Sequence, residues 1–314
     1  MSKLKGLLLT EGLHGMISQV EGLAKALDLE YFHEKIELNN FWKLIPPSLT
    51  PVKKYVFKNN IEKEFDIIIS CGRKSVIPSI YLKKNSNKKI INIHIQNPKV
   101  SLTTFNYIIA PEHDEISGKN VISSKGALHY LTIEEIEKSK DYLQNKTNTK
   151  KDILTLILGG PTKYYDYSTQ NIKSIFTKIN NLTEKNNLHL IVIPSNRTPK
   201  ETVLLAKSEL MKDTTIVETV DKKAYLSALC LAKYIVVTCD SSSMISEAAL
   251  TGKPVYVAMI ETKRNDKRFK EFRKLFENMN ILRKLDDKLE TWSYEKLDEA
   301  NRVSKLIKLN KCLF

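Results

Sequence analysis

The chain lacks any apolar run approaching the ~18 residues that a membrane-spanning helix needs. Its longest apolar stretches, such as Ile67-Ile68-Ile69 and Ile235-Val236-Val237, are of strand length. Cysteine is scarce: Cys71, Cys230, Cys239 and Cys312 are scattered, with no Cys-x-x-Cys pair. That argues against a disulfide framework or a zinc site and fits a reduced cytosolic chain. There is no Asp-x-Asp pair, no Cys/His metal spacing and no Gly-x-Ser-x-Gly elbow. The Walker spacing is also missing. Neither a bound metal nor a cofactor is therefore expected. No ribonucleoprotein or zinc-finger pattern occurs and the basic residues are dispersed, so nucleic acid is not an expected partner. No 20–50-residue repeat is present.

What the chain has is length and positive charge. Its 314 residues suit two domains better than one core. Fifty Lys and Arg against 36 Asp and Glu give a formal net charge of +14. Such a balance attracts phosphorylated substrates or an anionic membrane surface, and equally serves solubility. The start, Met1 to Leu9, is a charged residue cluster and a very short apolar stretch ending at Thr10-Glu11. It reads as a first core strand and not a signal peptide. The expected location is cytoplasmic, with peripheral contact to the inner membrane as a further expectation.

Strand-length apolar runs alternate with helix-length amphipathic segments. Strands are expected at Leu4–Thr10, Phe65–Ser70, Ile90–Ile95 and Tyr107–Ala110, with helices near Met16–Leu27 and Ser75–Lys84. A charged helix follows over Thr132–Leu143. The polar run Gln144–Lys151 reads as a linker. The alternation then restarts with strands Ile153–Leu158, His189–Ile193, Ile216-Val217, Tyr234–Cys239 and Pro254–Met259. Helices are expected at Thr169–Glu184, Lys200–Met211, Ala224–Ala232 and Ser243–Leu250. From Trp292 the chain reads as helical and charged. The pattern implies parallel βαβ units with helices on both sheet faces. The fold class is thus α/β, with two doubly wound Rossmann-like domains facing a cleft. The domains are expected at residues 1–147 and 148–285, with a helical segment 286–314 that can cross back to the first.

In open parallel sheets, ligands bind beyond the C-terminal strand ends, at helix N-termini. Four junctions of this kind carry unusual residues. The first, Thr10-Glu11-Gly12-Leu13-His14-Gly15, offers Gly12 and Gly15 for close backbone approach and His14 as a base near neutral pH. The second, Ser70-Cys71-Gly72-Arg73-Lys74-Ser75, sets Arg73 where a phosphate or carboxylate would sit. The third pairs Gly159-Gly160-Pro161 with Ser195-Asn196-Arg197 and reads as a diphosphate cradle. The fourth is Cys239-Asp240-Ser241-Ser242-Ser243, where a helix begins. Its hydroxyls and backbone N–H groups suit a phosphate. Glu247 falls one turn after Ser243 on the same face, where a carboxylate can accept both hydroxyls of a ribose. The competing reading makes Ser243 a plain N-cap; three serines exceed what a cap needs. Glu112-His113-Asp114-Glu115, after the strand Tyr107–Ala110, adds acid/base candidates.

These residues carry a resemblance. The chain resembles the mitochondrial-fission-protein-like family of bacterial and plant proteins, classed with glycosyltransferases of the B-type fold. The resemblance rests on Gly12-x-x-Gly15-x-x-x-Gln19, Ser70–Ser75, His94-Ile95-Gln96-Asn97-Pro98, Pro111–Asp114, Leu158-Gly159-Gly160, Ser195–Pro199, Val237–Ala248 and Thr251–Val255. It departs at Asn196, where relatives often carry a second Arg, and at Met16, where some carry His. In the wider fold group a Ser/Thr-rich turn and a following Glu grip the nucleotide-sugar donor, and the N-terminal domain binds the acceptor and supplies a base. The resemblance implies metal-independent glycosyl transfer from a nucleotide-diphosphate sugar to an envelope glycan or lipid. Gly160, Ser195, Arg197, Ser241, Ser242, Ser243 and Glu247 would hold the donor. Gly12, Gly15, Arg73 and His113 would face the acceptor or a phosphate. His14, Asp114 and Glu11 are the candidate bases. Two other activities fit the same scaffold: a non-catalytic adaptor, and nucleotide-sugar epimerisation.

Overall fold

The computed structural model describes residues 3–147 and 149–309. The chain divides into two compact units. One runs up to Tyr130 and resumes at Asp298; the other is Leu131–Leu297.

The first unit contains β1 (Lys5–Thr10), α1 (His14–Ala26), β2 (Glu30–Lys35), β3 (Ile67–Cys71), α2 (Val76–Lys84), β4 (Ile91–Ile95), β5 (Tyr107–Pro111) and β6 (Val121–Ser124). Its sheet has the order β2-β1-β3-β4-β5-β6, and every neighbouring pair is parallel. Successive strand residues feed opposite faces, as the pleat requires. Leu8, Ile67, Ile69, Ile93 and Ile109 pack under Val20 and Leu23 of α1 and under Val303 and Ile307 of the last helix, Glu299–Leu309. Leu7, Leu9, Ile68 and Ile108 pack on the other face against Ile77 and Ile80 of α2. Both faces are covered, which is why β1 and β3 read as apolar runs and why even the polar Asn92 and His94 of β4 are buried. The last helix is tied down by Glu299. Its buried carboxylate accepts from Arg302 at 2.7 Å and from the Lys125 amide at 2.8 Å.

The second unit contains α3 (Ile133–Lys138), α4 (Asp141–Thr147), β7 (Ile153–Leu158), α5 (Thr169–Lys185), β8 (His189–Pro194), α6 (Lys200–Glu209) and β9 (Thr214–Ile216). It continues with α7 (Lys222–Leu231), β10 (Ala232–Thr238), α8 (Ser242–Ala249), β11 (Val255–Ala258), α9 (Lys267–Asn278) and β12 (Leu282–Lys284). Its sheet is again all parallel, in the order β12-β11-β10-β7-β8-β9.

Several expectations need correcting. The division falls at Tyr130–Leu131 and not near residue 147, because α3 and α4 pack on α7 of the second unit. Tyr142 donates to Asp221 at 2.6 Å, and Ser227 donates to the Lys140 carbonyl at 2.7 Å. The first half of the expected linker, Gln144 to Thr147, is therefore helix; Asn148 lies outside the described residues. The segment from Trp292 is not helical until Glu299. Cys312 also lies outside the described residues. Three strands, β2, β6 and β12, are additional to those expected, as is α9.

Candidate functional site

Each sheet has a switch point, where the chain reverses its direction of strand addition and neighbouring connections leave on opposite faces. Crevices form there, beyond the C-terminal strand ends. In the second unit the reversal lies between β7 and β10.

The floor of that crevice is Gly159-Gly160 meeting Asp240. Gly159 N–H donates to Thr238 Oγ1 at 2.8 Å, and Gly160 N–H donates to Asp240 Oδ2 at 3.0 Å. A methyl group at Gly159 would overlap the Asp240 carboxylate, and one at Gly160 would overlap the Arg197 carbonyl. Close approach, not φ, demands glycine here. The Arg197 fork reaches across from the β8 tip, donating to Asp240 Oδ2 at 2.7 Å and to the Gly160 carbonyl at 3.0 Å. Thr198 clasps the same tips, donating to the Leu158 carbonyl at 2.9 Å while accepting from the Ser195 amide at 2.8 Å. The Ser195 hydroxyl is engaged with Thr198 at 3.1 Å. The expected diphosphate cradle thus uses much of its hydrogen-bonding capacity internally. Gly160, Ser195 and Arg197 lock three strand tips together around a fully buried carboxylate.

Above this floor begins α8. Ser241 is its N-cap, with Oγ accepting from Met244 N–H at 3.4 Å, so the helix starts one residue earlier than expected. Ser242 and Ser243 occupy the first turn, half-buried. Their hydroxyls make no hydrogen bond to a described residue, and first-turn amides have no intrahelical partner. One turn on, Glu247 is buried, at 9% exposure. Tyr225 of α7 donates its hydroxyl to Glu247 Oε2 at 2.6 Å. Burial pushes the Glu247 carboxyl up to about 7, with the Tyr225 bond pulling the other way. The arrangement offers hydroxyls and amides at the helix start and an acid that changes charge near neutral pH.

In the first unit the switch point lies between β1 and β3. Glu11 bridges it: its carboxylate accepts from the Lys74 amide at 3.1 Å and faces the Lys74 ammonium at 2.8 Å. Gly72 has φ +93°, and any side chain there would press on Met16. Gly12 has φ +84°. Gly15 lies in the first turn of α1, its carbonyl accepting from Gln19 at 3.0 Å. His14 is the exposed first residue of α1, its ring edge-on to Tyr130 at 6.2 Å between centroids. Arg73 donates to the carbonyls of Ile45, at 3.1 Å, and Lys43. It holds a loop and does not stand open for a phosphate. At the β5 tip, His113 Nε2 lies 3.8 Å from Asp114 Oδ1. Among the described residues no group of three or more His, Cys, Asp or Glu is arranged to hold a metal.

Sequence reasoning passed over Asp240, Thr238 and Tyr225. Asp240 carried a signal: a carboxylate directly after a buried strand and before three serines. Tyr225 carried none, since it meets Glu247 only through the packing of α7 near α8. A second buried cluster joins Tyr165, Asp266 and Arg273: Tyr165 donates to Asp266 at 3.0 Å and Arg273 to the same oxygen at 3.0 Å. His94, part of a quoted motif, is a core residue. It bonds Ser70 Oγ through Nδ1 at 2.9 Å, and burial pushes it down to about 3, so it stays neutral.

Two parallel-sheet units of this kind define a protein of the glycosyltransferase-B fold, which solved glycosyltransferases and UDP-GlcNAc 2-epimerases share. A UDP-GlcNAc 2-epimerase from Methanocaldococcus jannaschii, solved in complex with UDP-GlcNAc and UDP, is similar with a TM-score of 0.55 at 13% identity. That likeness, one of fold, covers 97% of this chain and 99% of that one. Over residues 14–310 the chain matches the family described as Mitochondrial fission ELM1, and it belongs to that family. An uncharacterized protein of Rickettsia prowazekii (strain Madrid E) is 27% identical, over 93% of this chain and 92% of that protein. The Mitochondrial fission protein ELM1 of Arabidopsis thaliana is 23% identical, over 77% of this chain and 63% of its own length.

Proposed function

We propose that the second unit binds the diphosphate and ribose of a nucleotide sugar, and that the protein transfers the sugar to an acceptor hydroxyl without a metal ion. The carrying observation is Glu247. A carboxyl buried at 9% exposure and pushed up to about 7 costs stability whenever it ionises. It lies one turn beyond the serines of a helix that starts at the switch point, where ligands of open parallel sheets bind. A ribose diol would give its ionised form the partners that burial removes.

In this reading Ser242, Ser243 and the α8 amides receive the diphosphate. Ser241 caps the helix, while Gly160, Ser195 and Arg197 fix the floor beneath it. Preorganised donors of this kind stabilise a leaving diphosphate as charge develops. Transfer also needs a base to deprotonate the acceptor. Among the first unit's strand-tip residues, His14, exposed at the start of α1, carries that role better than Glu11, which Lys74 engages, and Asp114, beside His113, is the third candidate. The acceptor would be an envelope glycan or a lipid. The three described cysteines are free thiols, two of them buried, which suits a reducing cytoplasm.

The test is a thermal-shift screen of wild type and Glu247→Ala with UDP, GDP, ADP, CMP and TDP. A ligand at ~100 times its dissociation constant adds about 2.7 kcal/mol. A shift with one nucleotide, lost in the variant, supports the donor site and selects the donor class. No shift with any nucleotide defeats the reading and leaves a non-catalytic adaptor on this scaffold. Where a nucleotide binds, product stereochemistry without added acceptor separates epimerisation from transfer.

A further inference from the structure

The segment between β2 and β3 carries a concentration of exposed apolar side chains that the sugar-transfer reading does not use. Leu44 is 82% exposed, Leu49 74%, Phe41 65% and Tyr55 59%. Elsewhere among the described residues such exposure is scattered, as at Leu204 and Val220. Isolated exposed leucines need no explanation; four large side chains on one loop do. Phe41 packs edge-on to Trp42 at 4.8 Å between centroids, and Trp42 lies 6.0 Å from Tyr55, so the three aromatics adjoin. Leu44 follows Phe41 within a single turn, its N–H donating to the Phe41 carbonyl at 3.2 Å.

The loop is pinned to the first unit's core, with Trp42 and Val52 packed against it while Phe41, Leu44 and Leu49 face outward. Its base is closed by the antiparallel bridge Leu38↔Phe57 and by the Asn39 amide donating to the Val56 carbonyl at 3.0 Å. Val56, Phe57 and Leu38 are buried as its anchor. Thr50 donates to the Pro46 carbonyl at 2.9 Å, and Pro46, Pro47 and Pro51 stiffen the chain between. The Arg73 guanidinium fixes the Lys43 and Ile45 carbonyls. The exposed side chains are therefore presented on a fixed backbone, and little ordering entropy remains to be lost when they are covered.

Charge identifies what covers them. From Leu38 to Ile61 there is no Asp or Glu, whereas Lys43, Lys53, Lys54 and Lys58 are all present and exposed. The flanking acids are Glu37 and Glu62. Protein interfaces are depleted of lysine, while exposed aliphatic and aromatic side chains on a loop that carries lysines and no acid match a bilayer interface with anionic headgroups. Aromatic residues prefer that same interfacial depth.

We infer that the loop Asn39–Lys58 docks on anionic lipid bilayers, seating Phe41, Leu44 and Leu49 among the acyl chains and its lysines on the headgroups. This goes beyond the sugar-transfer reading and does not depend on nucleotide binding.

The test is sedimentation of the full chain with phosphatidylcholine vesicles, with and without phosphatidylglycerol. Wild type pellets with the anionic vesicles and much less with the neutral ones, and salt weakens the binding. Phe41→Ser/Leu44→Ser/Leu49→Ser lowers partitioning by about 100-fold. Lys43→Gln/Lys53→Gln/Lys58→Gln lowers it by about 5-fold per lysine removed. All six positions are exposed, so both variants melt as wild type does. Leu204→Ser, in the second unit, leaves binding unchanged. Brominated acyl chains quench Trp42 emission in a Trp292→Phe background. Failure to pellet with anionic vesicles overturns the inference and leaves the ridge to a protein partner. Pelleting that the triple-serine variant retains overturns it as well.

Discussion

Arg197 and Asp240 form an ion pair across the tips of β8 and β10, with 2.7 Å between Nη2 and Oδ2 and the Asp240 side chain fully buried. The Arg197 side chain is 41% exposed, so water shares in compensating the acid. Removing one member of a buried pair strands the other and costs ~3–5 kcal/mol. Because of that shared exposure, Arg197→Ala is expected at the lower end, about 3 kcal/mol. Arg197→Lys keeps the charge but not the fork to the Gly160 carbonyl, and recovers only part of the loss. Urea denaturation followed through the second unit measures both. A cost under about 0.5 kcal/mol for the alanine variant, the range of an ordinary surface change, would show that Arg197 does not hold the floor.

Gly160→Ala should be among the most damaging small changes in the second unit. The added methyl meets the Arg197 backbone carbonyl, which cannot swing away as a side chain would. Overpacking of this kind costs ~1–3 kcal/mol, and the displaced Gly160–Asp240 bond adds to it. Gly12→Ala is a useful contrast. Its φ of +84° imposes backbone strain, but its methyl would meet only the flexible Lys35 side chain. Thermal denaturation of the two variants should rank Gly160→Ala as the more destabilised.

Glu247 predicts an unusual pH dependence. Its folded carboxyl is raised to about 7 from an ordinary 4.5. An acid raised on folding leaves stability intact below the ordinary value, where both states are protonated. Stability is then lost as pH rises from about 4.5 through 7, because the unfolded chain releases its proton first. The full loss is about 3 kcal/mol. Glu247→Gln should therefore stabilise the second unit at pH 8 by an amount of that order, and the gain should vanish near pH 4. Denaturation midpoints of both proteins across that range measure it. A glutamine variant that gains nothing at pH 8 means the carboxyl is solvated and the argument from its burial fails.

The central strands were legible because both sheet faces are covered, so β1, β3, β7, β8 and β10 are rich in Leu, Ile and Val, while β4 keeps Ile at alternate positions around the buried Asn92 and His94. The three unforeseen strands, β2, β6 and β12, are edge strands. An edge needs less apolar surface, and Glu30–Lys35 spells Glu-Tyr-Phe-His-Glu-Lys, with no apolar run to notice. The helix α9 was readable from Phe269, Phe272 and Phe276, spaced three and four apart among charges. In the site, the strand-to-helix junctions stood out by their residue types. The partners did not: nothing in the sequence pairs Glu11 with Lys74 across 63 positions, or Tyr225 with Glu247 across 22. Arg73 and Arg197 looked like phosphate ligands because an Arg fork suits carbonyls and carboxylates as well as phosphate. Only the fold shows which of these it meets.

The serines at the start of α8 should separate into two roles. Ser241 is the cap, but its bond to Met244 N–H is long at 3.4 Å. Ser241→Ala should cost about 0.5–1 kcal/mol of stability, near the weak end for an N-cap. The hydroxyls of Ser242 and Ser243 hold no described residue, so Ser242→Ala and Ser243→Ala should stay within about 0.5 kcal/mol of wild type. If a diphosphate rests there, each of those two variants loses a hydrogen bond to a charged group, worth roughly 1.5–3 kcal/mol, or about 10-fold or more in affinity. Calorimetric titration with the nucleotide selected by the thermal screen, beside melting curves of the same variants, measures both quantities. Affinity that falls while stability holds places the ligand on the helix start. Affinity unchanged in both variants, with the nucleotide still bound, moves the diphosphate off α8 and leaves its serines as a terminus that water alone satisfies.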